Sequence, residues 1–333
     1  MSFCPPAVLL VLLASFFSLT AQASQFEGNA EHSLLFSRRM PETAARRIAR
    51  TIAWLDALEK ATKALSAASL VQRGAGGASG RQALVSSVFT PTVSSTSKGQ
   101  QVSVQVRLIT PQRTVEDRLR NMLHEQEMLA LRVEMLNLEK EKTDEARRLI
   151  KLSVAFRRTL PGEYAANEAR IVLLAEQLEA LWLLGITLPQ REGGCWLDPL
   201  AALPILQEAV ALDPDYAPLQ YLRGEILLQL DRPQDALEGF DKALALNPEL
   251  AAALYARGLA YLRLQLPTLA ERDLSAALAR DASHAAWWRG RGALRMLRNE
   301  IVPMCEDFAQ ACARGDCEGL AVARERGLCL AEQ

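Results

Sequence analysis

Six cysteines, Cys4, Cys195, Cys305, Cys312, Cys317 and Cys329, are the residues of this chain best suited by type and spacing to do chemistry. A thiol oxidoreductase would want Cys-x-x-Cys, which is absent. A zinc site would want paired C-x2-C knuckles, and the spacing lacks them too. In an exported chain an even cluster such as the last four reads as disulfides. Cys305 and Cys312 sit seven residues apart on one helix, about 10 Å, too far to bond each other. A turn near Arg314-Gly315-Asp316 would send a short final helix back antiparallel. Cys312 then lies beside Cys317 and Cys305 beside Cys329, so nested bonds 312–317 and 305–329 are expected; the crossed pairs 305–317 and 312–329 are the alternative. Cys195 is left over, as an intermolecular bond or a quiet buried thiol.

Other chemistry finds no constellation. The three His, His32, His124 and His284, are scattered, and no nucleophile–base–acid set is visible. The stretch Gly74–Gly80 is glycine-rich, but no strand precedes it and no Gly-Lys-Ser/Thr ending follows, so it reads as a loop and not a phosphate cradle. Lys plus Arg is 38 and Asp plus Glu 39, a net charge of −1 that disfavours a duplex-binding surface. No catalytic residue, metal site or cofactor is expected.

The elements that carry these residues start at an apolar run, Ala7 to Leu19, followed by Ala21-Gln22-Ala23. Its length fits a secretory signal over residues 1–23, although only the α-amino group supplies the positive end. The mature protein would begin at Ser24, in the periplasm or outside the cell. An uncleaved N-terminus would be its only membrane contact.

Residues 24–112 read as a small α/β domain. A helix spans Pro41 to Val71, with Ala45, Ile48, Ala49, Ile52, Leu55, Leu58 and Leu65 near one face. Two strands follow, Ala83 to Ser95 and Val102 to Ile109, separated at Lys98-Gly99; the second alternates apolar and polar residues. With Ala44-Ala45-Arg46-Arg47-Ile48-Ala49, this order resembles the small α/β domain of exported bacterial lipoproteins and flagellar assembly proteins. The resemblance implies an envelope accessory domain.

Residues 113–158 form a bridging helix without Gly or Pro from Thr114 to Phe156. Val115, Leu119, Met122, Leu129, Val133 and Leu136 step by three and four, a heptad seam over 115–140 interrupted at Gln126 and Lys140. Glu125, Glu127, Glu134, Glu139 and Glu141 alternate with Arg132, Lys140 and Lys142 as a solvated face. The seam either makes a coiled-coil homodimer or packs within the chain. Leu160-Pro161-Gly162 marks a boundary.

Residues 159–333 carry a 34-residue period. Gly224, Gly258 and Gly292 each follow an Arg, Arg223, Arg257 and Arg291. Ala236, Ala270 and Met304 repeat at the same interval, as do Ala243, Ala277 and Ala311. Gly and Ala permit close helix approach, and Leu222, Phe240 and Leu244 fill the gaps. Asp213-Pro214 and Asn247-Pro248 stop helices. This pattern resembles the tetratricopeptide repeat family, whose helix–turn–helix unit has that length. Full repeats are expected at 217–250, 251–284 and 285–318, and an elongated one at 167–216. A cap helix is expected at 317–326. Met304 and Arg295 depart from the pattern and imply a loosely packed last repeat.

The resemblance places a partner in a concave groove lined by the first helix of each unit. Carried over by position, the lining is Tyr221, Leu222, Glu225 and Leu228, then Tyr255, Ala256, Leu259, Leu262 and Arg263, then Arg289, Ala293 and Met296. Family members that clamp a terminal carboxylate use several Lys and Asn there, and this set lacks them; a hydrophobic peptide or helix is the expected ligand. The chain's own bridging helix is the other possible occupant. The expected fold is therefore mainly α: a small α/β domain, a long helix and an α-solenoid. The expected function is an exported, non-enzymatic scaffold for envelope proteins; the alternative is a structural oligomer built through the bridging helix.

Overall fold

The computed structural model describes residues 26–35, 40–65, 77–110, 126–156, 161–188, 191–192 and 195–329. The expected signal, residues 1–23, and the first part of the bridging helix, residues 114–125, lie outside them. The chain divides into two compact units. One runs to Asp198 with Ala211–Asp213; the other comprises Pro199–Val210 and Pro214 onward.

Unit 1 holds a three-stranded sheet of order β1-β3-β2, from β1 (Phe26–Leu35), β2 (Pro91–Lys98) and β3 (Gln101–Thr110), all pairs antiparallel. β2 and β3 join through a two-residue loop, Lys98 opposite Gln101, with Gly99 at φ 62°. A hairpin loop this tight needs a positive φ, which Gly supplies without steric cost. Along β3, Val102, Val104, Val106 and Leu108 are all fully buried. They face α1 (Glu42–Leu65), which lies across β1 and β3. β1 was not anticipated. The expected strand from Ala83 is also corrected. Residues Gly77–Val88 form helix α2, and strand structure starts only at Pro91. Ala83, Leu84 and Val85 are buried in succession, which a helix wedged between neighbours allows and a half-buried strand does not.

The bridging segment is α3 (Gln126–Phe156), followed by α4 (Pro161–Thr187). α3 packs on α4, α2 and α1, and α4 also on α1. The described part of the heptad seam packs within the chain: Leu136 is fully buried and Leu129 and Val133 pack on the same core as Ile48, Ile52 and Leu174. The rest of the stripe expected to form a homodimer through residues 115–140, Val115, Leu119 and Met122, lies outside the described residues. α4 likewise sends Ile171, Leu174, Ala175 and Leu178 into this core. It groups with unit 1, so the expected boundary at Leu160–Gly162 falls inside that unit, and 167–216 is not a fourth solenoid repeat. A short hairpin, β4 (Arg191–Glu192) and β5 (Cys195–Trp196), follows.

Unit 2 begins with α5 (Pro199–Leu212) and continues in three helix pairs. These are α6 (Ala217–Gln229) with α7 (Pro233–Leu246), α8 (Ala251–Arg263) with α9 (Pro267–Arg280), and α10 (Ala285–Leu297) with α11 (Ile301–Cys312). Their starts are 34 residues apart. α12 (Glu318–Glu325) closes the array. Within each pair a glycine of the first helix meets a large side chain of the second. A Cβ on Gly224 would come within 2.6 Å of Phe240, on Gly258 within 2.9 Å of Leu274, and on Gly292 within 2.6 Å of Phe308. The period in the sequence is thus a packing contact. The last pair is not loose: Met304 is fully buried beside Phe308, Leu320 and Ala323.

Candidate functional site: one face of the repeat helices

Most of the residues expected to line the groove sit at helical spacing on the first helix of each pair and make up the candidate face. These are Tyr221, Glu225 and Leu228 on α6, Tyr255, Leu259, Leu262 and Arg263 on α8, and Arg289, Ala293 and Met296 on α10. All remain partly exposed. Leu222 and Ala256 do not belong to the face. They are buried, Leu222 fully, because one residue along a helix turns the side chain by about 100° toward the paired helix.

The face is well held. The Tyr221 hydroxyl lies 2.6 Å from Glu225 Oε1, one turn along, and its ring leans on Phe240. Tyr255 stacks on Trp287 with ring centroids 5.3 Å apart and donates its hydroxyl to the Ala286 carbonyl. Leu259 and Leu262 pack over Ala270, Leu274 and Leu294. Both arginines of the face are matched by acids of the chain. Arg263 Nη1 donates to Asp231 at 2.8 Å. Arg289 pairs with Asp316 at 3.0 Å and also with Glu318. Met296 leans on the cluster under α12.

The arginine before each periodic glycine has a role that sequence reasoning noted as spacing only. Arg257 reaches Asp273, 16 residues on, at 2.6 Å, and Asp241 at 2.7 Å. Arg291 holds buried Asp307, joined there by Arg295 at 2.9 Å. The same offset from Arg223 meets Gly239, where no carboxylate fits. A Cβ there would lie 2.8 Å from the Gln220 carbonyl. The constant 16-residue offset was the signal that could have revealed these pairs. His284 sits 3.0 Å from Asp281 and against Trp287, at the start of α10.

The carboxyl-terminal cysteines bond in the nested arrangement. Cys305 joins Cys329 and Cys312 joins Cys317, with Cα–Cα distances of 5.3 and 4.0 Å. Cys195 is disulfide-bonded, which corrects the alternative of a quiet buried thiol.

Unit 1 contains a different polar centre. Arg132 and Glu139, two turns apart on α3, are both about 97% buried, at 3% residual exposure, beside Trp54, Trp182 and Phe89. Arg132 donates to the Ser86 hydroxyl at 2.9 Å and to the carbonyls of Ser86 at 3.2 Å and Gly185 at 3.0 Å. Those carbonyls belong to the last turns of α2 and α4, so one guanidinium caps two helix C-termini. Glu139 accepts from Trp54 Nε1 at 3.2 Å. Burial pushes the Glu139 carboxyl above its ordinary value against the pull of Arg132 and Trp54. The gap between these side chains is ≈ 10 Å³, room for about one water, so it does not read as a ligand pocket. Among the described residues no group of three metal-ligating side chains occurs, and no helix is long and apolar enough to cross a membrane.

Residues 217–250 match the tetratricopeptide repeat model. Two further helix pairs follow it at the same 34-residue interval, so the chain carries tetratricopeptide-type helix pairs over 217–312. Solved structures similar to it include the tetratricopeptide domain of Arabidopsis OM64, at 21% identity over 34% of this chain and 93% of that one, TM-score 0.32. Another is PilF of Pseudomonas aeruginosa, at 17% identity over 56% of this chain and 86% of that one, TM-score 0.39. A third is the first such domain of human RPAP3, at 21% identity over 34% and 91%, TM-score 0.32. A comparison with curated proteins gives no match.

Proposed function

We propose that this protein is an exported scaffold that holds a partner's hydrophobic peptide or helix against the shared face of α6, α8 and α10, in the cell envelope. A tetratricopeptide array is a protein–protein interaction module, and this chain carries one. The observation that carries the finer reading is the state of the face itself. Leu228 and Leu262 recur 34 residues apart and stay partly exposed, while Arg263 and Arg289 are already matched by Asp231, Asp316 and Glu318. An acidic tail would have to displace those carboxylates. An apolar side chain needs only the ridges between the tyrosines and leucines. The disulfides and the apolar run at 7–19 support an oxidising, extracytoplasmic location.

The test is site-specific photocrosslinking in the envelope fraction. A photoreactive residue at 228 or 262 should yield a discrete adduct. One at exposed Lys242, on α7, should not. The adduct should vanish when Leu262 is replaced by Glu. Equal labelling from all three positions, or labelling from 242 alone, overturns the assignment.

A further inference from the structure

The last described helix, α12, is too small to stay where it is by packing alone. α12 has eight residues, well below the length at which an isolated helix is stable. It buries Leu320 and Ala323 against Met304 and Phe308. That apolar area is small beside the entropy of ordering residues 313–329. Two covalent bonds bracket it. Cys312–Cys317 closes its entry turn, and Cys305–Cys329 ties its exit to the second turn of α11. The same segment supplies Asp316 and Glu318, the acids that occupy Arg289. Cys317, at the entry of α12, is exposed to solvent.

We infer that this pair of disulfides is a redox clasp on the partner-binding face: oxidised, it holds α12 down and keeps Arg289 neutralised; reduced, it releases α12 and frees the Arg289 guanidinium for an anionic group of a partner. The regulation rests on the face proposed above as the binding site. The reductant is a dithiol. Its thiolate attacks one cysteine sulfur, the protein S–S bond breaks and a mixed disulfide forms. The second thiol then closes on that mixed disulfide. Each protein disulfide takes up two electrons and two protons as two thiols, and the dithiol leaves as its own disulfide. Release also uncovers Phe308, which α12 holds between Gly292 and Gly319.

The full chain can be probed with dithiothreitol and no partner. Trypsin cleavage after Arg324 and Arg326, and phenylglyoxal labelling of Arg289 read by mass spectrometry, report the clasp. Both should rise several-fold on reduction. Labelling of Arg291, held by Asp307, should stay constant, and helical circular dichroism should be almost unchanged. With the disulfides intact, Asp316→Asn with Glu318→Gln should raise Arg289 labelling alone. Unchanged cleavage and labelling after complete reduction overturn the inference. So does loss of the helical signal, which would make the bonds supports of the whole array. If Arg289 stays unreactive in the double variant, the link between cap and face is wrong. None of these readouts needs a groove ligand, so failure of the photocrosslinking test leaves them standing.

Discussion

A buried guanidinium without a carboxylate in contact would be costly, and Arg132 shows what can replace one. It spends its donors on the ends of α2 and α4, whose exposed carbonyls carry partial negative charge. Replacing Arg132 by Leu leaves the Ser86 and Gly185 carbonyls with one donor fewer and removes the cation that most favours the charged form of Glu139. Urea unfolding should show a loss of about 3–5 kcal/mol. Glu139 gives a prediction of opposite sign. Its carboxyl is raised in the folded protein, chiefly by burial, despite Arg132, Arg50 and Lys140. The native state therefore holds this proton more tightly than the unfolded chain does. Its contribution to stability is fully present below the ordinary carboxylate range and is lost as pH rises through the raised native value. Glu139→Gln keeps an acceptor for Trp54 and cannot ionise. Between pH 5 and pH 8 the variant should lose less stability than the wild type in paired unfolding curves. An identical slope would mean that Glu139 is not what titrates. Neither role was legible in the sequence, where Arg132 and Glu139 looked like members of a solvated charged face. Mixed charge at helical spacing does not reveal which charges face inward; here the two inward ones are seven apart, on the same side as Leu129 and Leu136.

Helices and turns were more legible than strands. The 3.6-residue stripe of α1 and the steps of three and four in α3 depend only on local periodicity, and both survive in the fold. The strand expected from Ala83 did not, because a run such as Ala83-Leu84-Val85 suits a fully buried helix as well as a strand. The turn that ends the first helix of each repeat was invisible to hydrophobic patterning. Asp231, Gln265 and Asn299, 34 residues apart, all have positive φ, 57–59°. Each is followed by a residue whose N–H returns to the carbonyl five earlier, as Leu266 does to Tyr261 at 2.9 Å. Asp and Asn tolerate that backbone; Gln does so less well. Gln265→Gly should therefore stabilise the protein by about 0.5–1 kcal/mol, read as a higher thermal midpoint. Gly239→Ala should do the reverse, by about 1–3 kcal/mol, since its methyl would press on the Gln220 carbonyl and on Gly224. A melt unmoved by Gly239→Ala would show that α6 and α7 do not approach as described.

At the scale of the molecule, the 34-residue period located three helix pairs to within a few residues, because a repeat's turn, glycine and proline signals all recur together. It over-reached at α4, whose spacing resembled a first helix but whose apolar stripe belongs to the core of unit 1. Sequence spacing reports which residues share a helix face; it does not report which neighbour that face chooses. The division at Asp198 makes a prediction about how damage spreads. Leu274 lies in the middle pair, fully buried against Gly258 and beside Ala270 and Leu294. Leu274→Ala opens a cavity there at a cost of about 2–5 kcal/mol. In a linear array each unit is supported by its neighbours, so the loss should pass to α8, α9 and α10. Native-state hydrogen exchange should show amide protection falling through 251–297, while protection in α1 and β3 stays as in the wild type. If α1 and β3 lose protection by the same amount, the chain opens as one cooperative body, and the two-unit division is not energetic.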